Sequence, residues 1–278
     1  MPYRRAHWYL LALFALSLLA FWPQYLSQFP TAPVAFHLHG MTAGLWLLLL
    51  IAQSLTISRG DRALHRTLGL ISLALFPMFL AGGVGIFLGM AERFVARATP
   101  FHALFPPRLA LLDAVAVAGF AWFYFQGLRH RRTVQLHARY MLATPIFLMP
   151  PILGRLMPFP PVMPGVGEDS LLFGLGFQVA NLIAAAIALL LAGRSGRHAK
   201  PWLIAGGLIV FSAVLFQFVG GSAWWKGWFG QFASVPLGPA AFMVAAFGVV
   251  IAAAGWIAGR DARRPPDLDE QVAPALST

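Results

Sequence analysis

Residues 68–90 read LGLISLALFPMFLAGGVGIFLGM and contain no charged side chain. At 1.5 Å of rise per residue, an α-helix of this length crosses the hydrocarbon core of a bilayer, which is about 30 Å thick. The whole chain is similar in character, because 59% of its 278 residues are hydrophobic, only 10% are charged and its mean hydropathy is +0.73. This composition predicts an integral membrane protein and excludes an ordinary soluble domain.

Apolar stretches of similar length recur along the chain. They predict an all-α integral membrane protein, a bundle of about eight transmembrane helices. The predicted spans are residues 8–27, 36–57, 68–90, 104–128, 138–157, 170–192, 201–221 and 237–258. Residues 1–260 are therefore expected to form a single transmembrane domain, followed by a disordered cytoplasmic tail over residues 261–278.

Two of the predicted spans differ from the others. The first follows Arg4 and Arg5, as a signal peptide would, but it lacks a small-residue cleavage site, so we expect it to be retained as an anchor. The fifth contains Pro145, Pro150 and Pro151, which remove backbone donors and bend or break a helix. A membrane protein tolerates such a break only where other helices cover the freed carbonyls, so this span is expected inside the bundle.

The basic residues are distributed unevenly between the two sides of the predicted bundle. Of the 20 lysines and arginines, the outer segments hold only Arg93, Arg97, Arg108, Arg155 and Lys226. Because short cytoplasmic loops carry an excess of basic residues, both termini are predicted to be cytoplasmic, in a multi-pass protein of the bacterial inner membrane. The net charge of +11 is then explained by topology and by contact with membrane lipids, and no nucleic-acid partner is expected.

The chain has no cysteine, which excludes disulfides, cysteine-held iron–sulfur clusters and covalently attached c-type haem. Any metal ion or haem must be held by histidine, methionine, tyrosine or carboxylate side chains. The glycine run Gly82-Gly83-Val84-Gly85 lies within the third span, where small residues at helical spacing favour close helix packing over ligand binding.

Histidines mark the ends of the predicted helices. His37 and His39 begin the second span at the outer surface, and His102 precedes the fourth span on the same side. His65 and His137 lie at the inner surface, before the third and fifth spans. Two neutral imidazoles on facing helices can ligate one haem iron, so a haem near each surface would provide a path for electrons across the membrane. The alternative for each histidine is an ordinary interfacial anchor.

The outer histidines also suggest a metal ion without haem. Asp113 is the one acidic side chain well within a predicted span, where a carboxylate is costly unless it faces the bundle and finds a partner. His37, His39 and His102, with Asp113, form a candidate ligand set for such an ion.

Two arginines are near Asp113 in predicted depth. Arg108 is about one helical turn away on the same span. Arg155, at the outer end of the fifth span, could pair with Asp113, hold a haem propionate or extend to the interface.

One stripe of the second span links the two surfaces. His39, Trp46 and Gln53 are seven residues apart in turn, so they lie on one side of a helix with only a small drift per heptad. The stripe runs from the outer surface to the inner one.

The histidine blocks of this chain resemble those of a group of uncharacterised bacterial multi-pass membrane proteins. The matching residues lie within 36–157, the histidine-bearing half, and are His37-Leu38-His39-Gly40, Gln53, Leu64-His65-Arg66-Thr67-Leu68-Gly69, His137-Ala138-Arg139-Tyr140-Met141 and Arg155. The group is distantly similar to the cytochrome b561 class, which has histidines at the ends of consecutive antiparallel helices. That likeness implies b-type haem at His37 or His39 and at His65 and His137. Arg139 and Arg155, which lie in the same blocks, are predicted as further cofactor contacts. The chain departs from the class in its number of predicted spans and in lacking an ascorbate-site basic motif.

Three kinds of function are compatible with these features. The first is a haem-carrying membrane protein that takes part in electron transfer with a quinone or another redox protein. The second is a metal-dependent membrane enzyme that acts on a lipid-like substrate. The third is a non-catalytic transporter or assembly factor.

Overall fold

The structure is a computed structural model that describes residues 3–157 and 170–261. In chain order, the α-helices within these ranges are α1 (Ala6–Phe21), α2 (Val34–Ser58), α3 (Arg62–Val95), α4 (Pro100–Leu104), α5 (Pro106–Arg129), α6 (Val134–Ala143), α7 (Met149–Leu156), α8 (Ser170–Gly193), α9 (Lys200–Val214), α10 (Ala223–Gln231) and α11 (Leu237–Asp261). Short 3₁₀ turns at Leu26–Thr31 and Thr144–Leu148 and a π-helical turn at Leu215–Val219 connect some of them. The described part of the chain is therefore all-helical, as the composition predicts.

Six of these helices are long and apolar enough to cross a membrane, compared with the eight predicted spans: α2, α3, α5, α8, α9 with its π turn, and α11. The first predicted span corresponds to α1, which has only 16 residues. The fifth is divided among α6, a 3₁₀ turn and α7. Of the predicted tail, residues 262–278 lie outside the described residues. The fold is thus a multi-pass helical bundle with six full-length spans among the described residues.

Prolines break the fifth predicted span, which lies inside the bundle. α6 ends at Ala143, and the chain continues through a 3₁₀ turn that contains Pro145. Thr144 is fully buried, and its hydroxyl accepts a 3.0 Å hydrogen bond from Nε1 of Trp46 on α2. This contact ties the broken segment to the centre of the bundle, where the surrounding helices cover its freed backbone groups.

Small residues bring α2 and α3 into close contact. A Cβ atom built on Gly82 would lie 2.7 Å from the Cα atom of His39, and one on Gly85 would lie 2.9 Å from the Cβ atom of Ala35. These distances are shorter than any real side chain allows, so the backbones approach each other only because both positions are glycine. Close helix packing is confirmed at Gly82 and Gly85, where it sets the position of His39, but not at Gly89, the next small residue at this four-residue spacing.

Replacing Gly82 by alanine is expected to destabilise the protein, because the new methyl group would force α2 away from α3. Overpacking of this kind costs about 1–3 kcal/mol. Gly89 provides a matched control on the same helix, since a Cβ atom there meets nothing within 4 Å. Gly89→Ala should therefore be neutral or stabilise the helix by up to about 1 kcal/mol. Chemical unfolding in detergent, followed by circular dichroism, measures both changes, and equal effects would contradict the packing assignment.

Aromatic side chains fill the middle of the bundle. Trp46 is fully buried, with ring centroids 4.9 Å from Phe120 and 5.4 Å from Tyr124. Phe76 stacks on Tyr124 at 4.2 Å, and Phe79 packs against Phe120 at 4.6 Å. Trp46 lies about 10 Å along α2 from both His39 and Gln53. The cluster therefore separates the two ends of the bundle at which the histidines are found.

Candidate functional site

A cavity of about 250 Å³ opens within the bundle, toward its predicted outer end. Its walls come from α1, α2, α3, α5 and the proline-broken segment, with further contributions from α8 and α9. Most of the lining is apolar and aromatic. Besides the phenol of Tyr25, three ionisable side chains from three different helices line the cavity: His39, Asp113 and Arg155. A largely apolar cavity with a few convergent polar groups is the usual form of a small-molecule site.

His39 lies in the second turn of α2 and forms part of the cavity wall. Its ring stacks on Phe79, with centroids 5.3 Å apart and planes inclined by 30°. Gly83 on α3 leaves room beside it, since a Cβ atom there would lie 3.9 Å from His39 Nδ1. This nitrogen is buried and has no hydrogen-bond partner in the protein. A buried ring nitrogen without a partner is costly, so the site has an unused hydrogen-bonding group.

Asp113 and Arg155 bring opposite charges into the same cavity. Asp113 is the eighth residue of α5, roughly 10 Å along the axis from its first residue. Arg155 donates from Nη1 to the carbonyl of Pro151 at 2.8 Å, and its guanidinium lies 4.5 Å from the centroid of the Phe21 ring. Its Nε is buried and has no hydrogen-bond partner. Arg155 also acts electrostatically on His39, so the three groups form one cluster.

The other two residues of the predicted outer metal set lie elsewhere. His37 shares a hydrogen bond with the phenol of Tyr25 (3.1 Å) and packs edge-on against Phe29. His102 shares a 2.7 Å hydrogen bond with Thr99, and burial lowers its pKa below the usual value. Neither lines the cavity. Over residues 3–157 and 170–261, no group of three or more His, Asp or Glu side chains is arranged to hold a metal ion.

Arg108, the sequence neighbour of Asp113, makes contacts in a different direction. Its Nη1 donates to the carbonyl of Phe216 at 3.0 Å and to that of Gln217 at 3.4 Å. These carbonyls belong to the π turn that extends α9, where the regular α-helical hydrogen bonds are interrupted. Arg108 therefore caps the π turn. Of the two arginines, Arg155 is the one that lines the cavity together with Asp113.

The two inner histidines are brought together at the opposite end of the bundle. The ring centroids of His65 and His137 are 6.4 Å apart, with the planes nearly perpendicular at 88°. Nδ1 of His137 lies 2.8 Å from the carbonyl oxygen of Gly127, which can only accept, so Nδ1 carries the proton and Nε2 has a free lone pair. Nδ1 of His65 is buried without a partner. The side chain of Gln53 lies near this pair, against Gly69.

Arg139 does not join the inner pair. Its guanidinium donates to the backbone and side chain of Gln135 and lies 5.3 Å from the Tyr3 ring centroid. His137 and Arg139 are two residues apart on α6, which places their side chains about 200° apart around the helix. The contact expected between Arg139 and a cofactor at His137 is not part of this arrangement.

No protein-family model, curated protein or solved structure matches this chain. The resemblance to the cytochrome b561 class therefore stays an expectation that rests on the histidine blocks. The outer cavity and the inner histidine pair are therefore the features of the structure that bear on the function of this chain.

Several lining residues were not identified from the sequence. Tyr25 and Phe79 shape the cavity, and the small residues Gly40 and Gly44 form part of its α2 wall. A signal for the glycines was present, since two glycines four residues apart mark a small-residue face of a membrane helix. Nothing in the sequence distinguishes Phe79 from a phenylalanine that faces lipid.

Proposed function

We propose that this integral membrane protein binds a lipid-like small molecule in the outer cavity. The apolar part of the molecule packs against the aromatic lining, and its polar group meets His39, Asp113 and Arg155. The supporting observation is that these three side chains, from α2, α5 and α7, share one mostly apolar cavity within a membrane bundle. Ionisable groups in such a position are costly for folding, which favours a functional role.

The unused hydrogen-bonding groups support the same proposal. His39 Nδ1 and Arg155 Nε are buried without partners in the protein, although Arg155 Nε could donate to a bound ligand and His39 Nδ1 could donate or accept. Leaving such groups unpaired costs about 1–3 kcal/mol each. A bound polar headgroup would supply the missing partners.

A cavity-filling substitution tests the proposal. Gly44 lines the cavity, and the nearest side-chain atom to a Cβ placed there is 3.9 Å away, so Gly44→Leu should fill the space without disrupting the helices. Gly207→Leu is the matched control, because Gly207 meets nothing within 4 Å and is exposed. We expect mass spectrometry of solvent extracts to find an amphipathic molecule with the purified wild type and with Gly207→Leu, and to find at least tenfold less with Gly44→Leu. Equal amounts in all three proteins would rule out the cavity as the binding site.

The predicted metal-dependent enzyme is less well supported by this geometry. Of its four proposed ligands, only His39 and Asp113 line the cavity, whereas a catalytic metal site usually has three protein ligands. We also propose that both termini are cytoplasmic and that the protein lies in a bacterial inner membrane. This topology is supported by the uneven distribution of basic residues, and six or eight crossings both return the chain to the side on which it starts.

A second candidate function, haem-based electron transfer, is favoured by the inner histidine pair. Imidazoles that ligate one ion from opposite sides, with metal–nitrogen bonds of about 2.0–2.1 Å, have centroids roughly 6 Å apart. The 6.4 Å between His65 and His137 fits this separation, and the hydrogen bond from His137 to Gly127 O is the kind that orients a ligating histidine. His65 and His137 would be the axial ligands, and a haem held there would supply one-electron chemistry.

An absorption spectrum tests the second candidate. If the inner pair holds haem, protein purified from haem-supplemented cells should show a Soret band that His137→Ala removes. His198→Ala, which changes a histidine outside this pair, should leave the band unchanged. A wild-type protein without a Soret band would rule out haem at this site and would leave the proposal for the outer cavity unaffected.

A further inference from the structure

We infer that the ligand of the outer cavity is a neutral ring carrying both hydrogen-bond donors and acceptors, with an apolar tail, which is the chemistry of an isoprenoid quinol. This inference rests on the proposed binding of a lipid-like molecule and names its class. It is carried by the charge balance, the hydrogen-bonding groups and the shape of the cavity.

The charges that line the cavity already compensate each other. Asp113 and Arg155 line the cavity with opposite charges, and the imidazole of His39 adds no charge in its neutral form. A carboxylate or phosphate headgroup would place a second negative charge beside Asp113, and an ammonium headgroup would place a second positive charge beside Arg155. In a site of low dielectric, an uncompensated charge is strongly unfavourable. The electrostatics therefore select a headgroup without net charge.

The hydrogen-bonding groups require a ligand that both donates and accepts. The carboxylate of Asp113 can only accept, whereas the unpaired Nε of Arg155 can only donate. His39 Nδ1 can do either, depending on its tautomer. A simple alcohol could form a good hydrogen bond with one of these groups. A ring with hydroxyl groups at opposite positions can form hydrogen bonds with groups on two different helices at once.

The space beside His39 suits a flat ring. The His39 ring and Phe79 already stack, and Phe120 continues the aromatic wall. Gly44 and Gly83 border the cavity without a Cβ atom, and at Gly40 the ring of Tyr25 packs against the backbone. Sites for drug-sized ligands have volumes of roughly 300–1,000 Å³. The cavity of about 250 Å³ is close to the lower end of this range, so it suits a headgroup the size of one substituted ring.

The tail of such a molecule has a short route into the bilayer. Leu18 of α1 lines the cavity and is nevertheless 43% exposed on the outside of the bundle. We place the opening of the cavity toward the bilayer at this side chain. An apolar tail that passes beside Leu18 would lie along α1, in contact with lipid, while the ring stays with the polar cluster.

Three ligands with the same ten-carbon tail distinguish the possible headgroups. In lipid nanodiscs kept under reducing conditions, a decyl-substituted hydroquinone should bind the wild-type protein at least tenfold more tightly than decanoate or decyltrimethylammonium, by equilibrium dialysis. Asp113→Asn keeps the shape but removes the negative charge that accepts from the quinol hydroxyl, so it should weaken quinol binding about tenfold and strengthen decanoate binding. Glu92→Gln makes the same charge change at an exposed position of α3 and should keep the wild-type preference.

The outcomes separate this inference from the proposed function. If decanoate or the ammonium compound binds the wild type as tightly as the quinol, the neutral class is wrong, while binding of a lipid-like molecule in the cavity stands. If none of the three binds, the inference is overturned, and the Gly44→Leu comparison then decides the proposed function by itself. Should Asp113→Asn fail to fold, the wild-type preference among the three ligands still decides the class.

Discussion

Replacing Trp46 by alanine is expected to destabilise the protein by about 3–5 kcal/mol, the usual cost of removing a large aromatic side chain from a core. Trp46 is fully buried, packs against Phe120 and Tyr124, and donates to Thr144 in the broken segment. Its loss would both open a void and release the contact that holds the 3₁₀ turn. Unfolding by sodium dodecyl sulfate, followed by far-ultraviolet circular dichroism, measures the change.

The matched control is Trp224→Ala on α10. Trp224 is 67% exposed, so its removal should change the free energy of unfolding by less than about 0.5 kcal/mol. If the two substitutions had similar effects, the aromatic cluster would not be the structural centre of the bundle.

Removing the carboxylate of Asp113 should have the second largest effect, a destabilisation of about 3 kcal/mol for Asp113→Ala. The reason is that the guanidinium of Arg155 would lose the opposite charge that lines the same largely apolar cavity, and an uncompensated polar group costs about 1–3 kcal/mol, more if it is charged. The double variant Asp113→Ala with Arg155→Met removes both charges. It should lose at least 1 kcal/mol less than the sum of the two single variants. The same unfolding assay measures all four proteins, and strict additivity would show that the two side chains do not interact.

Much of the fold was predictable because length and apolarity are local properties. The long apolar runs around α2, α3, α5, α8, α9 and α11 all became long helices. The proline content of the fifth predicted span indicated a break and a position inside the bundle, and both are found. The span count differs because a 20-residue apolar window does not show where a helix ends. Thus α1 stops at Phe21, two residues before Pro23, and has 16 residues.

The candidate site was only partly predictable, because a residue's depth can be read from sequence more easily than its direction. The sequence placed His39, Asp113 and Arg155 at similar depth, and the structure brings them to one cavity. It grouped His37 with His39 because they are close in sequence. Two residues along a helix correspond to about 200° of rotation, so His37 meets Tyr25 instead. Helical phase between separate helices depends on packing, which no single-sequence pattern contains.

The stripe on α2 connects the two candidate sites. His39 lies in the outer cavity, Trp46 in the aromatic centre, and Gln53 near the inner histidine pair. α2 therefore runs from the outer ligand site to the neighbourhood of the inner histidine pair, and a layer of aromatic rings separates the two sites. This arrangement is compatible with a ligand site alone or with one coupled to a redox centre, and the absorption spectrum distinguishes these two cases.

The most direct test of ligand binding in the outer cavity is an experimental structure of the protein in nanodiscs made from the membranes in which it was expressed. We expect non-protein density inside the outer cavity, with a polar end within hydrogen-bonding distance of Asp113 and Arg155 and an apolar end that leaves beside Leu18. A cavity that holds only water, with lipid confined to the outer surface of the helices, would contradict the proposed function.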